Sequence, residues 1–164
     1  MAVSEFELFH GVVLTKLVRS DRPITLRMIE TSPADAWSTY IINDQVTLMI
    51  KHCAKQRKLK RVPGAVSWTF VFTADQLRQL QPDGSDRQIW AALVGGGREV
   101  KLDTMQVCLL DQQQIQQVLD LHSTKPVSLT VRYEPAKQLR VLLGRRPAFN
   151  VPQTRLDNWA LPGS

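Results

Sequence analysis

Alternation and spacing of apolar positions divide the chain into a short series of elements. Ser4-Glu5-Phe6-Glu7 is a capping box, in which the Ser4 hydroxyl and the Glu7 carboxylate each satisfy an orphan backbone N–H at a helix start. Phe6, Phe9, Val13 and Leu17 then recur at the helical period, so the spacing predicts a core-facing helix that ends at Ser20-Asp21-Arg22-Pro23. From Ile24 to Glu30 the period changes to two, with Ile24, Leu26 and Met28 on one face, as in a half-buried strand broken at Ser32-Pro33. Trp37 to Ile42 and Gln45 to Cys53 flank Asn43-Asp44, a pair that tolerates positive φ, and together predict a hairpin. A short helix opening at Ser32 with Pro33 in its first turn competes with this reading.

Ala65 to Thr73 is the clearest strand, with Trp68, Phe70 and Phe72 on one face. Thr73 with Gln76 makes a second capping box, for a short helix that stops at Pro82-Asp83-Gly84. A strand over 87–94 meets Gly95-Gly96-Gly97, residues 98–103 are ambiguous between strand and loop, and 105–110 is another apolar strand. Asp111 with Gln114 caps a third helix that turns Ile115, Val118, Leu119 and Leu121 inward. A last hairpin joins 127–133 to 139–143 through Glu134-Pro135-Ala136-Lys137, and the Pro-punctuated run 145–164 reads as an irregular tail pinned, if at all, by Phe149, Leu156 and Trp159. Strands that follow one another without helical crossovers imply a single α+β domain over 1–144, with a mixed or mainly antiparallel sheet and about three helices.

Composition changes this picture little. At 164 residues, 43% hydrophobic and 22% charged, the chain is long enough for one core without cross-links. Cys53 and Cys108 sit in apolar runs and read as buried, reduced thiols, consistent with a cytoplasmic setting. No apolar run reaches the ~20 residues that span a bilayer, and no basic-then-apolar leader opens the chain, so no membrane partner is expected.

Charge is the informative quantity. Lys and Arg number 21 against 15 acids, a net +6, and the cations concentrate at Lys51, Lys55, Arg57, Lys58, Lys60 and Arg61, beside His52, in a segment closed by Val62-Pro63-Gly64. Six cations so close together repel one another unless water or a polyanion neutralises them, which points to contact with DNA or RNA phosphates. Arg140, Arg145, Arg146 and Arg155 extend such a surface if the fold brings them alongside, and Trp37 or Trp159, if exposed, offers a stacking face. The alternative is a solvated loop that keeps an edge strand from aggregating.

Enzymatic signatures are thin. Gly95-Gly96-Gly97 lacks the Gly-Lys-Ser/Thr of a phosphate loop and reads as a flexible hairpin tip; His10, His52 and His122 show no ligand spacing; no Gly-x-Ser-x-Gly elbow occurs. The order helix, strands, helix, strand resembles the core of restriction-endonuclease-like nucleases. In that family an acid after a Pro and an acid-x-Lys hold Mg²⁺ or Mn²⁺ at the attacked phosphate. Pro82-Asp83 followed by Glu99-Val100-Lys101 supplies those letters, so the resemblance implies Asp83, Glu99 and Lys101 as catalytic residues; in the strand ending Met49-Ile50-Lys51 a methionine stands in the acid's place.

Ile41-Ile42-Asn43-Asp44, Ile50-Lys51-His52, the Trp68 to Thr73 strand, Ala92-Leu93-Val94-Gly95 and Val107-Cys108-Leu109-Leu110 resemble a group of uncharacterised small prokaryotic proteins. That resemblance spans roughly 6–134 and implies one recurring domain with no assigned activity. The expectation is therefore a non-catalytic nucleic-acid-binding protein without a cofactor. A divergent metal-dependent nuclease and a protein-interaction or self-assembling module, using its strand edges as a homo-oligomer or with a protein partner, are the alternatives.

Overall fold

A computed structural model describes residues 2–19, 23–97 and 105–161. Its chain order is α1 (Glu5–Val18), β1 (Leu26–Ser32), a 3₁₀ turn (Pro33–Asp35), β2 (Trp37–Ile42), β3 (Val46–Cys53), β4 (Arg57–Lys58), β5 (Val66–Phe72) and α2 (Ala74–Gln79). Then follow β6 (Gln88–Gly95), β7 (Gln106–Leu110), α3 (Gln112–Val118), β8 (Val127–Tyr133), β9 (Leu139–Leu143) and β10 (Arg146–Val151). The result is a single-domain α+β fold with three α-helices and two five-stranded sheets.

Sheet A has the order β1-β2-β3-β6-β7 and is mixed, because β6 runs parallel to β3 while its other pairs are antiparallel. Sheet B has the order β10-β9-β8-β5-β4 and is antiparallel throughout. Between β3 and β6 the chain leaves sheet A, lays down β4, β5 and α2, and returns, which supplies the long connection that a parallel pair requires.

Two hydrophobic clusters follow from the period-2 alternation of sheet A. One face of it sends Trp37, Met49, Leu93, Cys108 and Leu110 against Trp68, Phe70, Phe72, Leu129, Val131 and Val141 of sheet B, with Leu77 and Leu80 near α2 and Ile115 and Val118 of α3 joining that cluster. The other face sends Tyr40, Ile42, Leu48, Ile50 and Val94 against Phe9, Val13 and Leu17 of α1. Apart from its edge strand β1, sheet A is thus buried on both sides, whereas Thr69, Val71 and Ser128 of sheet B are exposed on the face that neither cluster reaches.

All three capping boxes form as the spacing requires, with Ser4, Thr73 and Asp111 each accepting from the backbone N–H three residues on. The hairpin at Asn43 and Asp44 also forms, both residues at positive φ (52° and 55°). The competing turn at Ser32 exists alongside it, shrunk to the 3₁₀ turn Pro33–Asp35.

Two sequence expectations need correction. The strand read over 24–30 lies at 26–32; Ile24 and Leu26 pack inward as the alternation requires, but from Met28 on it is an exposed edge, with Met28 61% and Ile29 53% exposed beside a bulge between Met28 and Glu30. The segment from 145 is not irregular throughout: Arg146–Val151 forms β10 at the edge of sheet B, where Pro147 costs little because an edge strand has one unpaired side. Beyond it, Leu156 and Leu161 pack into the cluster under α1, and Trp159 lies against Trp90 with ring centroids 4.8 Å apart.

Candidate nucleic-acid interface

No acid occurs between Asp44 and Asp75, so the hairpin β4–β5 enters the fold with its cations uncompensated by sequence neighbours. Lys55, Arg57, Lys58, Lys60 and Arg61 are all exposed, and none makes an ion pair among the described residues. The hairpin that carries them is fixed at its base and tip. Arg57 pairs with Ser67 and Lys58 with Val66; Leu59 N–H donates to Ala65 C=O at 3.0 Å, and Ala65 N–H to Val62 C=O at 3.1 Å. Pro63 and Gly64, the latter at φ 76°, occupy the central positions of that last turn, the pattern of a type II turn.

Lys51 does not belong to this solvent-facing set. It is 8% exposed, and its ammonium donates to Asp35 C=O at 3.1 Å and to Gln76 Oε1 at 3.2 Å, with the Trp37 and Phe72 rings 5.9 and 5.5 Å away. Burial holds its pKa below the usual lysine value, partly countered by the Asp35 charge. Strand alternation explains the difference: Lys51 falls on the inward face of β3 with Met49, whereas the other cations follow the end of that strand. Outside it, Glu30, Asp35, Asp75 and Arg78 line a cleft of about 470 Å³; its carboxylates disfavour a polyanion.

The C-terminal arginines separate into three fates. Arg140 lies in register with Arg132 on the sheet that carries the hairpin; Arg145 and Arg146 sit at the β9–β10 turn, at the opposite end of sheet B; Arg155 is committed to Asp111 Oδ2 at 3.0 Å, Gln114 Oε1 at 2.5 Å and the Trp90 ring. Trp37 is buried and offers no stacking face; Trp159 is half-buried against Trp90.

Of the nuclease residues, Glu99 and Lys101 lie outside the described residues. Asp83 is exposed in a turn and accepts from Ser85 N–H at 2.9 Å and Ser85 Oγ at 2.5 Å, hydrogen bonds that hold its carboxyl below the usual range. Among the described residues no group of three or more His, Cys, Asp or Glu side chains is placed to hold a metal ion. Met49, in the acid's place of the Met49-Ile50-Lys51 strand, is buried and its sulfur accepts from Thr39 Oγ1 at 3.2 Å.

Gly95 and Gly96 are buried rather than a flexible tip. A Cβ on Gly95 would collide with the Trp68 ring and one on Gly96 would stand 2.6 Å from the Phe9 ring, while Trp68 Nε1–H donates to Gly96 C=O at 2.9 Å. The glycines let two aromatic rings lie directly on the backbone. Cys108 is buried and its thiol is pushed up to about 12 by burial; Cys53 is half-buried, and both are free. No described helix is long and apolar enough to cross a membrane.

The fold also joins residues that the sequence left separate. His10 of α1 meets Ser38 Oγ through Nδ1 at 2.6 Å and His52 Nδ1 through Nε2 at 2.9 Å, with the His10 ring stacked on Phe6 and the His52 ring on Phe9. Burial and the neighbouring His52 lower the pKa of His10 to about 3; burial lowers that of His52 too, although Glu5 opposes it. With Ser38 fully buried, this chain anchors α1 to sheet A rather than exposing a nucleophile. Sequence spacing carried no signal for it, since each contact is tertiary.

Comparison with family models, with curated proteins and with solved structures gave no match to this chain.

Proposed function

We propose that the protein is a non-catalytic nucleic-acid-binding module that contacts phosphates through Lys55, Arg57, Lys58, Lys60 and Arg61. The observation that carries this reading is the exposure of five cations on one turn-locked hairpin without a single ion-pair partner among the described residues. Protection of an edge strand is served by charges on the strand itself, and only Arg57 and Lys58 of the five lie on β4. Five clustered cations raise the local potential and make release of condensed counterions the main driving force for binding.

The test is fluorescence anisotropy with labelled DNA and RNA, single- and double-stranded, at two salt concentrations, with Mn²⁺ samples run on a denaturing gel. The reading requires salt-sensitive binding without cleavage, abolished by reversing Arg57, Lys58 and Lys60 to Glu. Indifference to those reversals, or metal-dependent cleavage, overturns it.

A further inference from the structure

The register of sheet B lines up residues that lie far apart in the chain. Arg57 pairs with Ser67, Ser67 with Arg132, Arg132 with Arg140, and Arg140 with Asn150, so one transverse row crosses β4, β5, β8, β9 and β10. Directly opposed residues of an antiparallel sheet project to the same side. Ser67 alternates with Trp68, which points into the core, so the row lies on the outer face that neither hydrophobic cluster reaches. At about 4.8 Å between strands the row spans about 19 Å.

This row is continuous with the basic hairpin. Arg57 belongs to both, and a Cβ on Gly64 would stand 3.0 Å from the Pro135 ring, so the β4–β5 loop abuts the β8–β9 turn. In that turn Glu134, 9% exposed, accepts from Arg132 at 2.6 Å and pairs with Lys137 at 3.3 Å. Burial alone would raise its pKa, but hydrogen bonds from Lys137 and Arg132 hold the carboxyl below its usual range. Glu134 thus orients two cations while neutralising one: Arg57, Arg132, Lys137 and Arg140 against Glu134 leave a net of three positive charges (4 − 1). Arg140 makes no ion pair among the described residues and lines, with Arg132, Lys137, Gln138, Asn150 and the doubly ion-paired Glu134, a concavity of about 230 Å³.

We infer that the outer face of sheet B, along Arg57, Ser67, Arg132, Arg140 and Asn150, is a track for the sugar–phosphate backbone of a nucleic acid, read without regard to base sequence. The inference rests on the nucleic-acid reading and specifies its surface. Ser67 is only 8% exposed, so the donors that the row presents are the guanidinium groups of Arg57, Arg132 and Arg140 and the carboxamide of Asn150, groups that contact phosphate and sugar oxygens. Its length corresponds to about five to six steps of 3.4 Å along one strand. The neighbouring outward positions, Thr69, Val71, Ser128, Thr130 and Leu142, include no aromatic ring, and Tyr133 and Phe149 pack toward the inner cluster, so bases find no stacking platform. Recognition through the backbone alone is the consequence.

The test measures anisotropy of two 20-base-pair DNA duplexes of unrelated sequence, and of one single strand, across a salt series. Arg140→Ala is expected to weaken binding about 3- to 10-fold and to take close to one charge, about 0.7–0.9, off the slope of log K against log salt, while the two duplexes bind alike within about 3-fold. Asn150→Glu, an exposed substitution, places a negative charge at the far end and is expected to weaken binding similarly; it decides the matter if Arg140→Ala lowers the melting temperature. Normal binding by both variants while Lys60→Ala and Arg61→Ala weaken it overturns the track and leaves the hairpin reading standing. No binding by the wild type, or indifference of every variant, removes both. A preference of more than about 10-fold between the duplexes overturns sequence-independent recognition.

Discussion

At the scale of single residues, Gly95 shows how a position can look like a loop and act as a packing seat. The Trp68 ring occupies the space of a side chain there, so Gly95→Ala forces the ring or the β6 backbone to move. A loss of about 1–3 kcal/mol or more in urea denaturation is expected; an unchanged midpoint would show that the ring has room. Lys51 supplies a second residue test. Because its ammonium is turned into the fold, Lys51→Met is expected to leave nucleic-acid affinity within about 2-fold, whereas a loss comparable to that of Lys58→Ala would place it back at the interface. The basic segment was legible in the sequence as a charge run, but the exclusion of Lys51 was not, since the period of β3 fixes its face only once the inward side is known.

Titration of buried His10 and half-buried His52 is likewise a property of individual side chains. His10 has a folded pKa lowered from 6.5 to about 3, so below pH 6.5 the unfolded chain takes up a proton that the folded chain refuses. Stability therefore falls as pH drops, by about 2 kcal/mol between pH 7 and pH 5 from His10 alone, and His52 acts in the same direction. The depressed carboxyls of Asp83 and Glu134 add little in that window, because their ordinary pKa values of 3.8 and 4.5 lie below it; their contribution is lost as pH falls further, through those values and the lower folded ones. Denaturation at pH 7, 6 and 5 checks this, and a flat profile contradicts the burial of a neutral His10.

At the scale of elements, the β4–β5 hairpin depends on its turn. Gly64 combines φ 76° with close approach to Pro135, so Gly64→Val strains the backbone and pushes the loop off the β8–β9 turn. A cost of about 1–3 kcal/mol is expected, together with weaker nucleic-acid binding; full affinity in this variant would mean that the loop needs no fixed shape. Helix starts and most strands were readable because capping boxes and period-2 runs are local signals. The reading failed in part at two of the four edge strands, β1 and β10. In β1 the alternation of Ile24, Leu26 and Met28 suggested an inward face; Ile24 and Leu26 do pack inward, but Met28 is exposed with Ile29 at a bulge. In β10, Pro147 and the preceding arginines resembled a breaker, yet an edge strand accommodates both.

At the scale of the whole molecule, the division into two sheets is what creates the proposed interface. Sheet A is closed by α1 on one side and by sheet B on the other, so the outer face of sheet B and the hairpin at its edge are left to meet a partner. That division depends on the parallel β3–β6 pairing across a long connection, which no local pattern encodes, although the all-buried run of β2 and the buried stretch 91–95 of β6 carried a trace of two-sided burial. The transverse alignment of Arg57, Arg132 and Arg140 was likewise invisible, because register between distant strands is a tertiary property.

The central claim, that five unpaired cations on the hairpin bind phosphates, is tested most directly by the slope of log K against log salt for duplex DNA, measured for the wild type and for the Arg57→Glu, Lys58→Glu, Lys60→Glu triple variant. Each contacted phosphate adds about 0.9 to the magnitude of that slope, so five contacts give about −4.5, or a loss of a few hundred-fold in affinity between 50 and 200 mM salt. The account predicts a slope at least that steep in the wild type and loss of most binding in the triple variant. A wild-type slope shallower than about −2, or a triple variant that binds as the wild type does, contradicts it.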